Sequence, residues 1–220
     1  LFIAAGCSSD KAKVDKYISE AQEYFDKEDY QAATIQLKNA LSIDSSSVKA
    51  NNLLAKTYLK LGDAQETFKA YMRLEQLEPE NLDHKLQVAS FFLLSKRQAE
   101  ADRRVKEVLE KDPENIQALY LQAGLMGSQK SDVKEIETVY LQILKIDPNQ
   151  AKAHHILARL YGFQKQLDKA EESMIKAISL EPDNITFYQS LFGFYTSKKQ
   201  FDDAESVLNK LMAQRPDDAV

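Results

Sequence analysis

The sequence predicts an all-α solenoid built from six stacked helix-turn-helix units. Three observations point to it. The prolines stand at 79, 113, 148, 182 and 216, spaced 34, 35, 34 and 34 residues apart, and a strict period between about 20 and 50 residues marks a repeat architecture. Within each period, small, aromatic and large aliphatic residues return at fixed places. The 220 residues include only six glycines and five prolines, which argues against a turn-rich β architecture.

With the proline set at position 32, the unit 151–184 places Leu157, Ala158, Tyr161, Ala170, Met174, Ala177 and Pro182 at positions 7, 8, 11, 20, 24, 27 and 32. The unit 185–218 gives Leu191, Phe192, Tyr195, Ala204, Leu208, Leu211 and Pro216 in the same places, and 82–115 gives Val88, Ala89, Phe92, Ala101, Val105, Val108 and Pro113. In 48–81, Leu54, Ala55, Tyr58, Tyr71, Leu74 and Pro79 keep register, with Thr67 in the small position 20. The unit 14–47 keeps Ala21, Tyr24, Ala33, Leu37 and Ala40, with Ser45 where proline would stand. The unit 116–150 departs most: Gln122 and Met126 take positions 7 and 11, and one extra residue falls in the turn GSQKSDVK.

These spacings have a physical reading. Positions 7, 8 and 11 share one helical face, as do 20, 24 and 27. Small residues at 8 and 20 let paired helices approach, and the ring at 11 fills around them. Proline at 32 cannot continue a helix and biases the preceding residue away from the α region. A single unit cannot bury its apolar face alone, whereas a stack buries a continuous core.

Over about nine tenths of the chain these positions and residue types resemble the tetratricopeptide repeat. That resemblance implies a right-handed α-solenoid in which the first helix of each unit lines a concave groove through positions 2, 5, 9, 12 and 13. It implies protein partners and no enzymatic role. On this reading Asn52 and Lys56 supply part of a carboxylate-holding set, and Leu86 and Ser90 face the groove in the next unit. Tyr120, Gly124, His155, Arg159 and Gln189 are the groove residues of the last three units. Gly124, Gly127, Gly162 and Gly193 fall at positions 9 or 12. Glycine inside a helix costs about 1 kcal/mol relative to alanine, so four such placements suggest a floor kept open for a partner. The bland alternative is that position 12 lies near a helix end, where glycine is cheap.

Other chemistries find little support. A net charge of −5 with acids and bases interspersed leaves no electrostatic footprint for nucleic acid. His84, His154 and His155 form no HExxH motif and no nucleophile set. Adjacent His154 and His155 point to different faces of one helix, which makes a poor metal pair. No catalytic residue, metal or cofactor is expected.

The only cysteine, Cys7, sits in IAAGCSSD, ahead of the repeats. The apolar stretch LFIAAG, ending in small residues before a cysteine, resembles the end of a bacterial lipoprotein signal. The resemblance implies that residues 1–7 end a signal whose Cys7 is lipidated and that 8–13 form a tether, at most about 20 Å long when extended. It also implies attachment to the periplasmic face of the outer membrane, or a cytoplasmic protein if Cys7 is not processed. Several acyl chains, at about 0.8 kcal/mol per buried CH₂, would anchor stably. At the other end Val207, Leu208, Leu211 and Met212 are expected to be exposed on the last helix, for a further unit or a partner to cover.

The stretch KYISEAQEYFDKEDYQAATIQLKNALSID, following this cysteine closely, resembles tetratricopeptide lipoproteins of exopolysaccharide and PEP-CTERM protein-sorting loci (the PrsT type). That implies an envelope scaffold for secretion or polysaccharide export. The alternatives are a groove receptor for a peptide or polysaccharide chain, and an outer-membrane or pilus assembly lipoprotein.

Overall fold

The computed structural model describes the backbone of residues 4–214 and the side chains of residues 10–213. Pro216 and residues 1–3 lie outside the described backbone, and the Cys7 side chain lies outside the described side chains. The fold is all-α, an α-solenoid of helix pairs, with no strand among the described residues. The chain divides into two compact units, residues 1–111 and 112–220.

The first unit holds α1 (Ala4–Asp26), α2 (Tyr30–Ile43), α3 (Val48–Lys60), α4 (Ala64–Leu77), α5 (Leu82–Leu94) and α6 (Gln98–Lys111). Each helix packs on its neighbour in the chain, and α1 also reaches α3. The core joins Val14, Ala21, Leu37, Ala40, Leu54 and Tyr58. Residues 8–13 are helical and continuous with α1, so this segment rises about 9 Å.

The second unit holds α7 (Ile116–Ser128), α8 (Val133–Ile146), α9 (Ala151–Phe163), α10 (Leu167–Leu180), α11 (Ile185–Ser197) and α12 (Phe201–Gln214). Its buried residues include Ala123, Ile143, Leu157, Ala158, Ala170, Ala177 and Tyr195. On α12 the expectation of exposure holds for Leu208 and Met212, at 41% and 54%, but not for Val207, at 5%. Val207 lies on the side of α12 turned towards Leu191 and Tyr195 of α11, around a shared cavity.

Local rules explain the punctuation. Where proline follows, the residue closing the second helix leaves the α region: Glu78, Asp147 and Glu181 have φ near −130° and positive ψ, consistent with the bias proline puts on the residue before it. Asp44 takes the same shape without proline, its carboxylate accepting from the Ser46 backbone and hydroxyl. Those two bonds hold its carboxyl below the usual carboxylate range. Most first helices then start on a side-chain cap, from Ser47, Asn81, Asn115 and Asn184, each satisfying amides the helix itself leaves unbonded.

Within each pair the turn contains one left-handed residue: Glu28, Gly62, Lys96, Lys130, Lys165 and Lys199. All six stand at position 15 of their units. The turn between α7 and α8 spans residues 129–132, one residue longer than the other five.

Recurring polar pairs join consecutive repeats. In the second unit burial and then the charge of Glu137 push the Tyr161 phenol above its ordinary value, and Gln164 Nε2 donates to Glu137 Oε2 at 2.8 Å. One repeat later Tyr195 Oη donates to Glu171 Oε1 at 2.8 Å, and Lys198 pairs with Glu171 at 3.7 Å. Both joints use positions 11, 14 and 21. In the first unit the corresponding work falls to an ion pair, Arg104 on Glu75, while Lys85 pairs with Glu107 inside a single repeat.

Candidate functional site

Three first helices of the second unit, α7, α9 and α11, carry five of the residues singled out in the sequence. They form one connected surface through side chains that cross from helix to helix. Between α7 and α9, Tyr120 Oη donates to Gln150 Oε1 at 3.3 Å, and the Lys152 ammonium lies 5.0 Å from the Tyr120 ring centroid. The Tyr120 ring also meets Tyr140 edge-on at 6.0 Å. Burial, then the neighbouring Tyr140, pushes the Tyr120 phenol up to about 12.

His155 joins α9 to α11. Its ring tilts against Phe187 with centroids 4.8 Å apart, and Nε2 lies 2.8 Å from Ser190 Oγ. The Ser190 hydroxyl gives its one proton to the Thr186 carbonyl, at 2.9 Å. The contact with Nε2 holds the imidazole in place between α9 and α11. Burial, and then the charge of Arg159 one turn away, holds His155 below its ordinary value of 6.5.

The remaining residues are open to solvent. Gly124, Arg159 and Gln189 are exposed, and a Cβ at Gly127, Gly162 or Gly193 would meet open space. No neighbouring side chain therefore demands glycine there. Gly127 and Gly162 sit in the last turn of their helices, but Gly193 lies further inside α11, so the helix-end explanation does not cover it.

The sequence of these three helices has a further property. Neither α7 nor α11 carries a charged residue, and α9 carries Lys152 and Arg159 with no acid. Lys152, His155, Arg159 and Gly162 follow at i, i+3, i+7 and i+10, which is one helical stripe.

Asn52 and Lys56 lie on α3 in the other unit, the first half-buried and the second exposed. The neighbouring groove positions there do not complete a carboxylate-holding set. Ser90 Oγ donates to its own helix at Gln87 O, and Leu86, expected to face the groove, is fully buried. An aliphatic side chain at position 5 turns inward, whereas Tyr120, His155 and Gln189 at that position stay accessible. Lys152 and Ser190 belong to the surface and the buried Phe187 backs it, but none of the three was singled out in the sequence. Lys152 was legible at position 2, a groove position; Phe187 and Ser190, at positions 3 and 6, were not.

A separate groove of about 580 Å³ runs over α8, α9 and α10, with Leu141, Leu144, Leu157, Tyr161, Ile175 and Lys176 in its lining. It contains none of the five residues. Among the described residues no group of three or more His, Cys, Asp or Glu could hold a metal ion, and no helix is long and apolar enough to cross a membrane.

Comparison with known proteins gives family and fold. Three family models, each described as tetratricopeptide repeat, match residues 48–81, 139–172 and 164–220. Among solved structures, the chain resembles PilW, a "widely conserved type IV pilus biogenesis factor", with TM-score 0.74 and 19% identity, covering 93% of this chain and 94% of that one. It resembles Pseudomonas aeruginosa PilF with TM-score 0.71 and 18% identity over 95% of both chains. It also resembles YrrB, a repeat protein "with an unusual peptide-binding site", with TM-score 0.59 and 18% identity, covering 79% and 89%. A human relative, the protein O-mannosyl-transferase TMTC3, is 29% identical over 76 residues. That match spans 34% of this chain and 8% of the relative's length.

Proposed function

Because the chain is a tetratricopeptide repeat protein, we propose that it acts as a non-catalytic scaffold held at the bacterial envelope, gathering protein partners on the face of α7, α9 and α11. One observation carries this reading. The face is continuous over three helices, polar and half-open, and packing does not require glycine at 127, 162 or 193. Binding surfaces without a packing reason for their residues are where function resides.

The envelope part rests on the sequence Ala5-Gly6-Cys7, with lipidation of Cys7 and acyl chains as the anchor. The clients on this reading are components of exopolysaccharide export or protein sorting. A second reading, a pilus or outer-membrane assembly lipoprotein, draws on the fold likeness to PilW and PilF. Both readings use the same face and anchor and differ in the client.

The test compares the native chain, Cys7→Ser and Gly193→Trp in the membrane fraction of the native host. The expected result is a native chain whose intact mass begins at Cys7 and includes acyl groups, with retained partner proteins. Cys7→Ser leaves the membrane, and Gly193→Trp stays there but loses its partners. An unprocessed cytosolic chain overturns the anchor. A partner set indifferent to Gly193→Trp overturns the face.

A further inference from the structure

Resting on that reading of the α7–α9–α11 face, we propose that its partner is an extended acidic peptide segment bearing two side-chain carboxylates three residues apart. The chain carries 34 acidic residues and a net charge of −5, yet none of those acids lies on α7, α9 or α11. The charges on these helices are Lys152 and Arg159, both exposed. Neither is in an ion pair with a carboxylate among the described residues; Lys152 rests over the Tyr120 ring instead. A face whose helices carry cations outside any ion pair and no acid, with Asp147 and Glu181 confined to the connections beside Tyr120, favours negative partners.

Spacing narrows the chemistry. Lys152 and Arg159 are seven residues apart on one helical stripe, a rise of about 10.5 Å. Two cations set at opposite ends of this stripe suit two carboxylates better than a single chain end. In a segment of polyproline II form, with three residues per turn, residues i and i+3 share one face and stand about 9 Å apart, close to the rise that separates the Lys152 and Arg159 backbones. Between them, His155 Nε2 is engaged with Ser190 Oγ at 2.8 Å, so that nitrogen does not compete for the carboxylates. Gly162 continues the same stripe with open space above it, which lets a peptide backbone lie close to α9.

The probe is an acetylated and amidated octapeptide, Gly-Ser-Glu-Ser-Ala-Glu-Ser-Gly, titrated into the isotopically labelled chain and followed by amide shifts. Three companions accompany it: the double Gln version, a version with the two Glu adjacent, and the Gln version with a free C-terminal carboxylate. The expected result is shifts centred on residues 151–163 and binding about tenfold tighter than that of each companion. That binding weakens with salt, as exposed charge pairs do. Lys152→Glu and Arg159→Glu, with unchanged melting curves, each lose about tenfold.

The inference is overturned by equal binding of the Gln version, by preference for the free chain end or the adjacent pair, or by no binding of any probe. These results leave the scaffold reading standing, because that reading falls only when Gly193→Trp fails to change the partners retained from the host.

Discussion

Arg104 on α6 grips Glu75 on α4 with two prongs, Nε to Oε1 at 2.8 Å and Nη2 to Oε2 at 3.0 Å. The guanidinium lies 4.7 Å from the Phe92 ring centroid, and its third nitrogen donates to the Glu100 carbonyl. Both side chains are largely buried, at 8% and 15% exposure. Removing one partner leaves the other charge desolvated and unpaired. Arg104→Ala is expected to cost about 3 kcal/mol, read as a lower urea midpoint. Arg104→Met combined with Glu75→Gln should cost less than Arg104→Ala alone, because no orphaned charge remains.

The six left-handed turn residues predict opposite effects from substitutions at equivalent places. At Gly62 the backbone has φ 72° and a Cβ would touch nothing, so Gly62→Ala is penalised by backbone conformation alone, about 1 kcal/mol. At Lys165, with φ 61°, glycine removes that strain. Lys165→Gly should raise the melting temperature, although glycine's greater freedom in the unfolded chain offsets part of the gain. Parallel thermal melts of the two variants check the sign of each.

Gly193 separates the demands of folding from those of binding. With open space at its Cβ, Gly193→Ala should stabilise α11 by up to about 1 kcal/mol. The same variant should bind a partner no better than the native chain. A stabilised protein with weakened binding identifies the glycine as a contact surface rather than a structural device.

The depressed His155 predicts acid sensitivity. In the unfolded chain this imidazole takes up a proton near its ordinary pKa of 6.5, while the folded chain resists that proton. The unfolded state therefore binds more protons as pH falls below 6.5, and stability declines through that window. His155→Gln should remove this part of the decline in urea midpoints measured between neutral and mildly acidic pH. An unchanged slope would mean that the imidazole protonates equally in both states.

Much of the architecture was legible because the repeat places the same demand on the same position. Ala21, Ala55, Ala89, Ala123 and Ala158 at position 8 are all buried, since a small side chain there lets the paired helices close, and only the last unit departs, with a half-buried Phe192. The left-handed residue was not legible. Five of its six occupants are Lys or Glu, and only at Gly62 does residue type announce the conformation. Leu86 and Val207 were misplaced because position within a repeat gives a direction on the helix, while burial depends on what the neighbouring helices supply. The candidate face was partly legible: residue types marked Tyr120, His155 and Arg159, but the pairing of His155 with Ser190 joins residues 35 apart in sequence. Periodicity cannot reveal a contact that only one repeat makes.

The joints at Glu137 and Glu171 use the same three positions in consecutive repeats. A duplicated copy of such a unit would bring both halves of its own joint, an acid for the unit after it and a tyrosine for the unit before it. Unequal crossing-over could then lengthen this array in a single genetic step, without inventing an interface, while each copy's first helix remained free to diverge towards a different client.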